Sequence, residues 1–257
     1  MENKRDLRKN EIRLNNFGSK MIIVNYNNKR DIDIYFPKYN WIFFHAQYHN
    51  FKNGNISCPY EPKIYNKGYL GEGRYKIRDE NGKLTKCYNT WHSMLERCYA
   101  PKYHKKHPTY IGCEVCKKWL NFQNFAKWYY ENYYVIEGER IDLDKDILIK
   151  GNKVYSPETC VFVPQRINEL FTKRQNYRGK YPIGVMSYGN KNKFRVCCQN
   201  IFNKRENLGV YENKEEAFYV YKRFKEKVIK QIADEYKDKI PQKLYNAMYR
   251  YEVEIND

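Results

Sequence analysis

The sequence predicts a modular α+β protein, because strand-like and helix-like segments follow one another along its 257 residues. Near the N terminus, short β-branched runs are separated by Asn, Gly and Pro, a pattern typical of antiparallel strands. Apolar residues at helical spacing come next, and strands and helices alternate after them. We therefore divide the chain into a basic arm (1–18), an N-terminal β module (19–85), a central domain (86–175) and a C-terminal domain (176–257).

Three runs predict the strands of the N-terminal module: MIIVNY, DIDIYF and WIFFHAQY. His45 and His49 fall on the third strand at a spacing of four residues, which places both side chains on the same face of that strand. We interpret both as structural histidines satisfied by their neighbours rather than as metal ligands.

Two aromatic stripes at helical spacing predict the helices of the central domain and its core: Trp91, Met94, Leu95 and Cys98, then Trp119, Phe122, Phe125 and Trp128. The stretch from Ile141 to Phe171 then predicts a strand in LDKDIL, a turn in GNKVYSPET and a second strand in CVFV. Pro164 opens a helix there, at a position where its missing N–H costs nothing. The prediction is a strand, turn, strand and helix unit.

The C-terminal domain is predicted as three short strands, PIGVMSY, KFRVCCQ and ENLGVY, followed by a long helix. Asn213 is the predicted N-cap of this helix, with Glu216 as its capping partner. One apolar stripe, from Ala217 to Ile232, is expected to lie on the sheet. A final helix that begins at Pro241 is expected to pack behind the sheet.

The net charge of +18 predicts a polyanionic partner, and the 27 Tyr and 13 Phe favour nucleic acid over a membrane surface. A membrane-surface protein would concentrate its charge on one amphipathic helix with a Leu-rich face. The sequence has no apolar run long enough to span a bilayer, and its first residues are too charged for a secretion signal. We therefore expect a cytoplasmic protein without a membrane partner.

A recognisable motif is formed by Leu143-Asp144-Lys145-Asp146, Gly151, Tyr155-Ser156-Pro157, Thr159-Cys160-Val161-Phe162 and Asn168. Through this motif, the segment from about Tyr88 to Phe171 resembles the ββα core of HNH homing endonucleases from phages and mobile elements. In such enzymes a divalent ion, Mg²⁺ or Mn²⁺, assists hydrolysis of a DNA strand.

The resemblance implies a role for each of four positions in the predicted site. Asp144 and Asn168 would hold the metal, Lys145 stands at the general-base position, and Thr159 stands at the position of the residue that orients the base. Two of these four positions depart from the family pattern. A lysine near its reference pKa of about 10.4 is protonated and cannot accept a proton at neutral pH. The alternative is a ββα unit that docks on DNA and does not cut it.

The C-terminal pattern resembles an AP2 DNA-binding domain in Gly184-Val185, Asn207-Leu208-Gly209 with Tyr211, and Glu215-Glu216-Ala217. The resemblance implies that one face of the sheet enters the major groove of double-stranded DNA. The candidate contacts on the sheet are Lys193, Arg195, Gln199, Lys204 and Arg205. Four more in the preceding linker would add affinity that does not depend on sequence: Lys173, Arg174, Arg178 and Lys180.

The eight cysteines argue against a disulfide framework in an intracellular protein of this size. Buried thiols are the first interpretation. The alternative is a structural Zn²⁺ held by four thiolates, as in the zinc knuckles of some HNH proteins, and it would use Cys98, Cys113, Cys116 and Cys160.

The function predicted from these patterns is that of a DNA-binding protein of phage or mobile-element type, with metal-dependent endonuclease activity. Three alternatives stay open. The chain is a DNA-binding regulator that does not cleave, or a phage protein that binds a host defence protein, or a protein that binds RNA instead of DNA.

Overall fold

A computed structural model describes residues 8–172, 181–189, 192–255 and 257. Contacts divide the chain into two compact units, one made of Met1–Glu131 with Lys153–Ser156 and the other of Asn132–Asn152 with Pro157–Asp257. Several small sheets and helices make up both units, so the predicted α+β class is confirmed. The segment predicted as the central domain contributes residues to both units.

The first unit begins with a four-stranded antiparallel sheet in the order β1-β2-β3-β4. Its strands are β1 (Ile12–Leu14), β2 (Lys20–Asn28), β3 (Asp31–Phe36) and β4 (Trp41–Ala46). Alternate residues of β2 and β3 point inward and form a core with Phe51 of the short helix α1 (Tyr48–Lys52). The three predicted strands are confirmed, and β1 adds an exposed edge strand inside the segment predicted as a basic arm.

The placement of His49 on the third strand is wrong. The strand ends at Ala46, and His49 lies in α1, which turns the chain so that Phe51 is buried. His45 and His49 therefore do not share the face of one strand.

The remainder of the first unit is helical and aromatic. It contains α2 (Lys86–Tyr99), α3 (Pro101–Lys106), β5 (Glu114–Val115) and α4 (Phe122–Asn132). Strand β5 pairs in parallel with a later strand, β7 (Val154–Tyr155). The Oγ1 of Thr85 caps α2 by accepting the backbone N–H of Tyr88. Trp91 is fully buried and donates its indole N–H to the carbonyl of Trp119 over 2.7 Å. The prediction that the two aromatic stripes form core is confirmed, except that Trp128 is only partly buried.

The second unit contains the predicted strand, turn, strand and helix. β6 (Ile141–Asp144) pairs antiparallel with β8 (Val161–Pro164), and α5 (Gln165–Leu170) follows directly. The first strand is shorter than predicted. It ends at Asp144, because the carboxylate of this residue accepts the backbone N–H groups of Asp146 and Ile147 and turns the chain.

The three C-terminal strands are also present: β9 (Val185–Tyr188), β10 (Lys193–Gln199) and β11 (Arg205–Tyr211), in the order β11-β10-β9. The long helix α6 (Lys214–Glu235) follows, and α7 (Gln242–Arg250) comes after it. The predicted N-cap is confirmed, because Oδ1 of Asn213 accepts the backbone N–H groups of Glu215 and Glu216.

Helix α6 contributes to two hydrophobic cores. Its N-terminal half packs on the three-stranded sheet through Ala217, Phe218 and Tyr221. Its C-terminal half packs on β8 and α5 through Val228, Ile229 and Ile232. The prediction that the whole stripe lies on the sheet is therefore wrong, because Val228 and Ile232 belong to the core formed with β8 and α5.

The predicted position of the last helix is wrong as well. Leu244 and Met248 of α7 are fully buried in the core that contains Val161 and Val163, not behind the three-stranded sheet.

Candidate nucleic-acid interface and metal site

Asp144 lies at the end of β6, opposite the first residue of β8, Val161. One carboxylate oxygen, Oδ1, accepts the N–H groups of Asp146 and Ile147 over 2.8 Å and 2.7 Å. The other oxygen, Oδ2, makes no hydrogen bond to any residue that the structure describes. A carboxylate held by one oxygen in this way keeps the second oxygen available for a hard cation such as Mg²⁺.

Burial raises the pKa of the Asp144 carboxyl to about 6, and repulsion from Asp146 adds to the shift. The two backbone N–H groups and the charge of Lys145 act in the opposite direction. The charged form of Asp144 is therefore disfavoured by its surroundings, and a bound cation would favour it.

Lys145 points into the loop that follows it and is largely buried. Its ammonium donates to Oδ2 of Asp146 over 2.9 Å and to the carbonyl of Asn152 over 3.1 Å. The side chain of Asn152 returns a hydrogen bond to the carbonyl of Lys145 over 2.7 Å. These contacts close the loop between residues 145 and 152, and they include Asp146 and Asn152 as acceptors for the ammonium.

The other two predicted catalytic positions belong to the same unit as Asp144. Thr159 is partly buried just before β8, and its hydroxyl lies 4.0 Å from the sulfur of Cys160. Asn168 lies on α5, which contacts both β6 and β8. Within the described part of the chain the side-chain amide of Asn168 makes no hydrogen bond, so its oxygen is available to a metal. The shared metal site of Asp144 and Asn168 stays a prediction.

The four cysteines predicted to bind Zn²⁺ are thiols distributed over both units, with Cys160 in the second and the other three in the first. Cys98, Cys113 and Cys160 are buried, and Cys116 is partly buried. The zinc site remains a prediction. Among the described residues, the His, Cys, Asp and Glu side chains that could jointly hold an ion are Asp31, Asp33 and His45.

The outer face of the three-stranded sheet carries the predicted DNA contacts. Inward-facing Val196 and Cys198 of β10 pack under α6, so the alternate residues Lys193 and Arg195 point away from the helix. Arg195 stands between Met186 on β9 and Val210 on β11, and both of these neighbours are exposed. The sheet therefore presents a cation in the middle of a surface that is partly apolar.

Polar and aromatic neighbours orient the cations of this face. The Arg195 guanidinium lies 3.4 Å from Oδ1 of Asn207 and 5.8 Å from the centre of the Tyr188 ring, which is half exposed. Lys193 is paired with Glu212 over 3.7 Å, an exposed contact of little stabilising effect. Tyr188 and Asn207 belong to the same surface and were not predicted. Their exposure follows from strand alternation only after the register of the sheet is known.

The remaining predicted contacts lie at the end of the sheet that is formed by the turn from β10 to β11. Gln199 and Arg205 are cross-strand partners there, and Lys204 is exposed beside them. A guanidinium nitrogen of Arg205 lies 3.2 Å from the sulfur of Met186. The four predicted linker contacts lie outside the described residues: Lys173, Arg174, Arg178 and Lys180.

No family model, curated protein or solved structure matches this chain. None of the helices in the described ranges is both long enough and apolar enough to cross a lipid bilayer.

Proposed function

We propose that this chain is a DNA-binding protein of the kind found in phages and mobile elements, and that the outer face of the three-stranded sheet binds the duplex. The observation that supports this most strongly is the arrangement of Lys193, Arg195 and Tyr188 on the face that α6 leaves uncovered. A two- or three-stranded β-surface fits the major groove, where cationic and amide side chains reach phosphates and base edges.

Binding is tested with a fluorescent DNA duplex and the double variant Lys193→Gln/Arg195→Gln. We expect its affinity to fall about 10-fold or more, since each lost arginine or lysine contact removes about 1–3 kcal/mol. The matched control is Lys227→Gln/Arg223→Gln, which removes the same charge from exposed positions on α6. An equal loss in both variants would contradict a specific role for the sheet face. Competition with single-stranded RNA separates DNA binding from RNA binding.

We further propose that the ββα unit hydrolyses a DNA strand with a divalent ion held by Asp144 and Asn168. The available oxygens of both side chains support this activity, because Mg²⁺ and Mn²⁺ prefer oxygen ligands. When bound, the ion would supply Lewis-acid stabilisation of the phosphodiester and lower the pKa of an attacking water. The residues would position the ion through the short turn at the end of β6.

Supercoiled DNA incubated with protein and Mg²⁺ or Mn²⁺ tests this activity. Asp144→Asn is the informative variant, because its amide oxygen can still accept the N–H groups of Asp146 and Ile147. We expect wild type to nick or cut, and Asp144→Asn to bind DNA without cutting. Cleavage that persists in Asp144→Asn would exclude this residue as the metal ligand.

The contacts of Lys145 favour a second candidate, a protein that binds DNA and does not cut it. Its ammonium is already engaged by Asp146 and Asn152, an arrangement that stabilises the loop and offers no base. If duplex DNA is bound but remains intact with either ion, the protein acts by occupying its site. If the wild type shows no DNA affinity at all, a host protein becomes the better candidate partner.

A further inference from the structure

Three side chains that are common metal ligands meet on the exposed surface of the N-terminal sheet. Asp31 and Asp33 stand on β3, and His45 stands on the adjacent strand β4. One possible ligand atom from each lies within 4.8 Å of the other two. The closest pair is Nδ1 of His45 and Oδ1 of Asp31, which are 2.9 Å apart.

The sheet itself brings these side chains together. Ile32 and Ile34 point into the core, so Asp31 and Asp33, at alternate positions, share the opposite face of β3. Opposite them, the register shifts by one residue in β4, where Ile32 pairs with Ala46 and Ile34 pairs with Phe43. His45 lies in this bulge with a φ of 58°, and a bulge of this kind turns a side chain away from the direction that simple alternation gives.

The neighbouring strand β2 holds the far oxygen of each carboxylate. The side-chain amide of Asn27 donates to Oδ2 of Asp31 over 2.8 Å, and that of Asn25 donates to Oδ2 of Asp33 over 3.1 Å. The Oδ1 atoms of both aspartates then lie toward His45. Oδ1 of Asp31 contacts the imidazole ring, and Oδ1 of Asp33 accepts the backbone N–H. Outer hydrogen bonds of this type orient carboxylate ligands at many metal sites.

We propose that Asp31, Asp33 and His45 bind one divalent first-row transition-metal ion, with water at the remaining coordination positions. His45 Nδ1 and Asp31 Oδ1 form a hydrogen-bonded ion pair over 2.9 Å, and two neighbouring ligands at about 2.1 Å from an octahedral ion are about 3 Å apart, so an ion would replace the shared proton with little movement of this pair. The imidazole favours Co²⁺, Ni²⁺ or Zn²⁺ over Mg²⁺ and Ca²⁺, which prefer sites made of oxygen alone.

The proposal is tested with the full chain by titration with Co²⁺ and Zn²⁺, followed by calorimetry and by the visible absorption of Co²⁺. Every protein in the series carries Asp144→Asn, so that an ion at the ββα unit does not contribute. We expect this background to bind one equivalent of ion that does not depend on the cysteines, and its thermal midpoint to rise with ion concentration.

Two variants remove ligands with small changes in shape: His45→Asn, because Asn tolerates a positive φ, and Asp31→Asn. We expect each to weaken binding of this equivalent at least 10-fold. The matched control, His49→Gln, removes an exposed imidazole from α1 and should bind like the background protein.

The proposal is overturned if the background protein binds no ion, or if His45→Asn and His49→Gln bind equally well. It is also overturned if both ligand variants bind as many equivalents of ion as the background protein, with the same affinity. Loss of the helical and strand circular dichroism in His45→Asn would leave Asp31→Asn as the deciding variant. DNA cleavage at Asp144 is measured separately, so failure of either proposal does not affect the other.

Discussion

Asp144 stabilises the turn that follows β6 in addition to any role with a metal. Its Oδ1 atom accepts the backbone N–H groups of Asp146, which is exposed, and of Ile147, which is buried. Water can replace the acceptor at the exposed Asp146, but leaving the N–H of the buried Ile147 without an acceptor costs about 1–3 kcal/mol.

We therefore expect Asp144→Ala to lower the free energy of unfolding by about 1–3 kcal/mol, and Asp144→Asn to lower it by less than half as much. Urea unfolding followed by circular dichroism measures both values at neutral pH. Equal losses in the two variants would mean that the charge, and not the hydrogen-bond acceptor, stabilises the turn. The same comparison shows why Asp144→Ala is a poor test of catalysis by itself.

At the residue scale, the sequence singled out side chains as candidates without predicting what they contact. The motif around Asp144 singled out this residue and Lys145. The contact of the Lys145 ammonium with the carbonyl of Asn152 depends on the path of an eight-residue loop, which no local pattern specifies. His45 was assigned by simple alternation, and a bulge of one residue overrides alternation.

At the scale of elements, the sequence predicted the N-cap and the apolar face of α6 but not the elements against which this helix packs. Its N-cap and its apolar face follow from local spacing, and both are present. Periodicity identifies the face of a helix that is buried and says nothing about which elements cover it. The partners of its C-terminal half, β8 and α5, are about 60 residues away in sequence.

The double role of α6 predicts an effect of a mutation in its C-terminal half. Ile229→Ala should lower the free energy of unfolding by about 2–5 kcal/mol, because Ile229 is fully buried in the core with Val161 and Val163. In hydrogen exchange, the amides of β8 should lose more protection than those of β10. Val196→Ala, in the core under the sheet, is the matched control and should show the reverse order. Equal loss in both strands for both variants would mean that the two cores unfold as one.

At the scale of the whole molecule, the net charge of +18 predicts that DNA binding weakens steeply with salt. A protein that neutralises 6–10 phosphates loses about 10³–10⁵-fold in affinity between 50 and 200 mM salt. We expect a loss of affinity in that range for wild type. In a plot of log affinity against log salt concentration, the slope for Arg195→Gln should be smaller in magnitude by about one. Fluorescence anisotropy at five or more salt concentrations measures both. An affinity that does not change with salt would argue against phosphate contacts as the basis of binding.

The overall class of the protein could be predicted from the sequence, since α+β organisation follows from local periods of two and 3.6 residues. The division into two units could not, because it depends on contacts between distant residues. Glu114 of β5 pairs with Val154 of β7, and Val154 lies in a stretch whose composition predicted a turn.

The pairing of β5 with β7 has a consequence for cutting the chain into pieces. Lys153–Ser156 belong to the first unit, whereas the residues on both sides of them, in β6 and β8, belong to the second. Each unit is thus discontinuous in sequence. A chain truncated after Glu131 would lack β7, the strand that pairs with β5, and would lack the buried ring of Tyr155. A fragment starting at Asn132 would contain β7 without β5, its pairing partner.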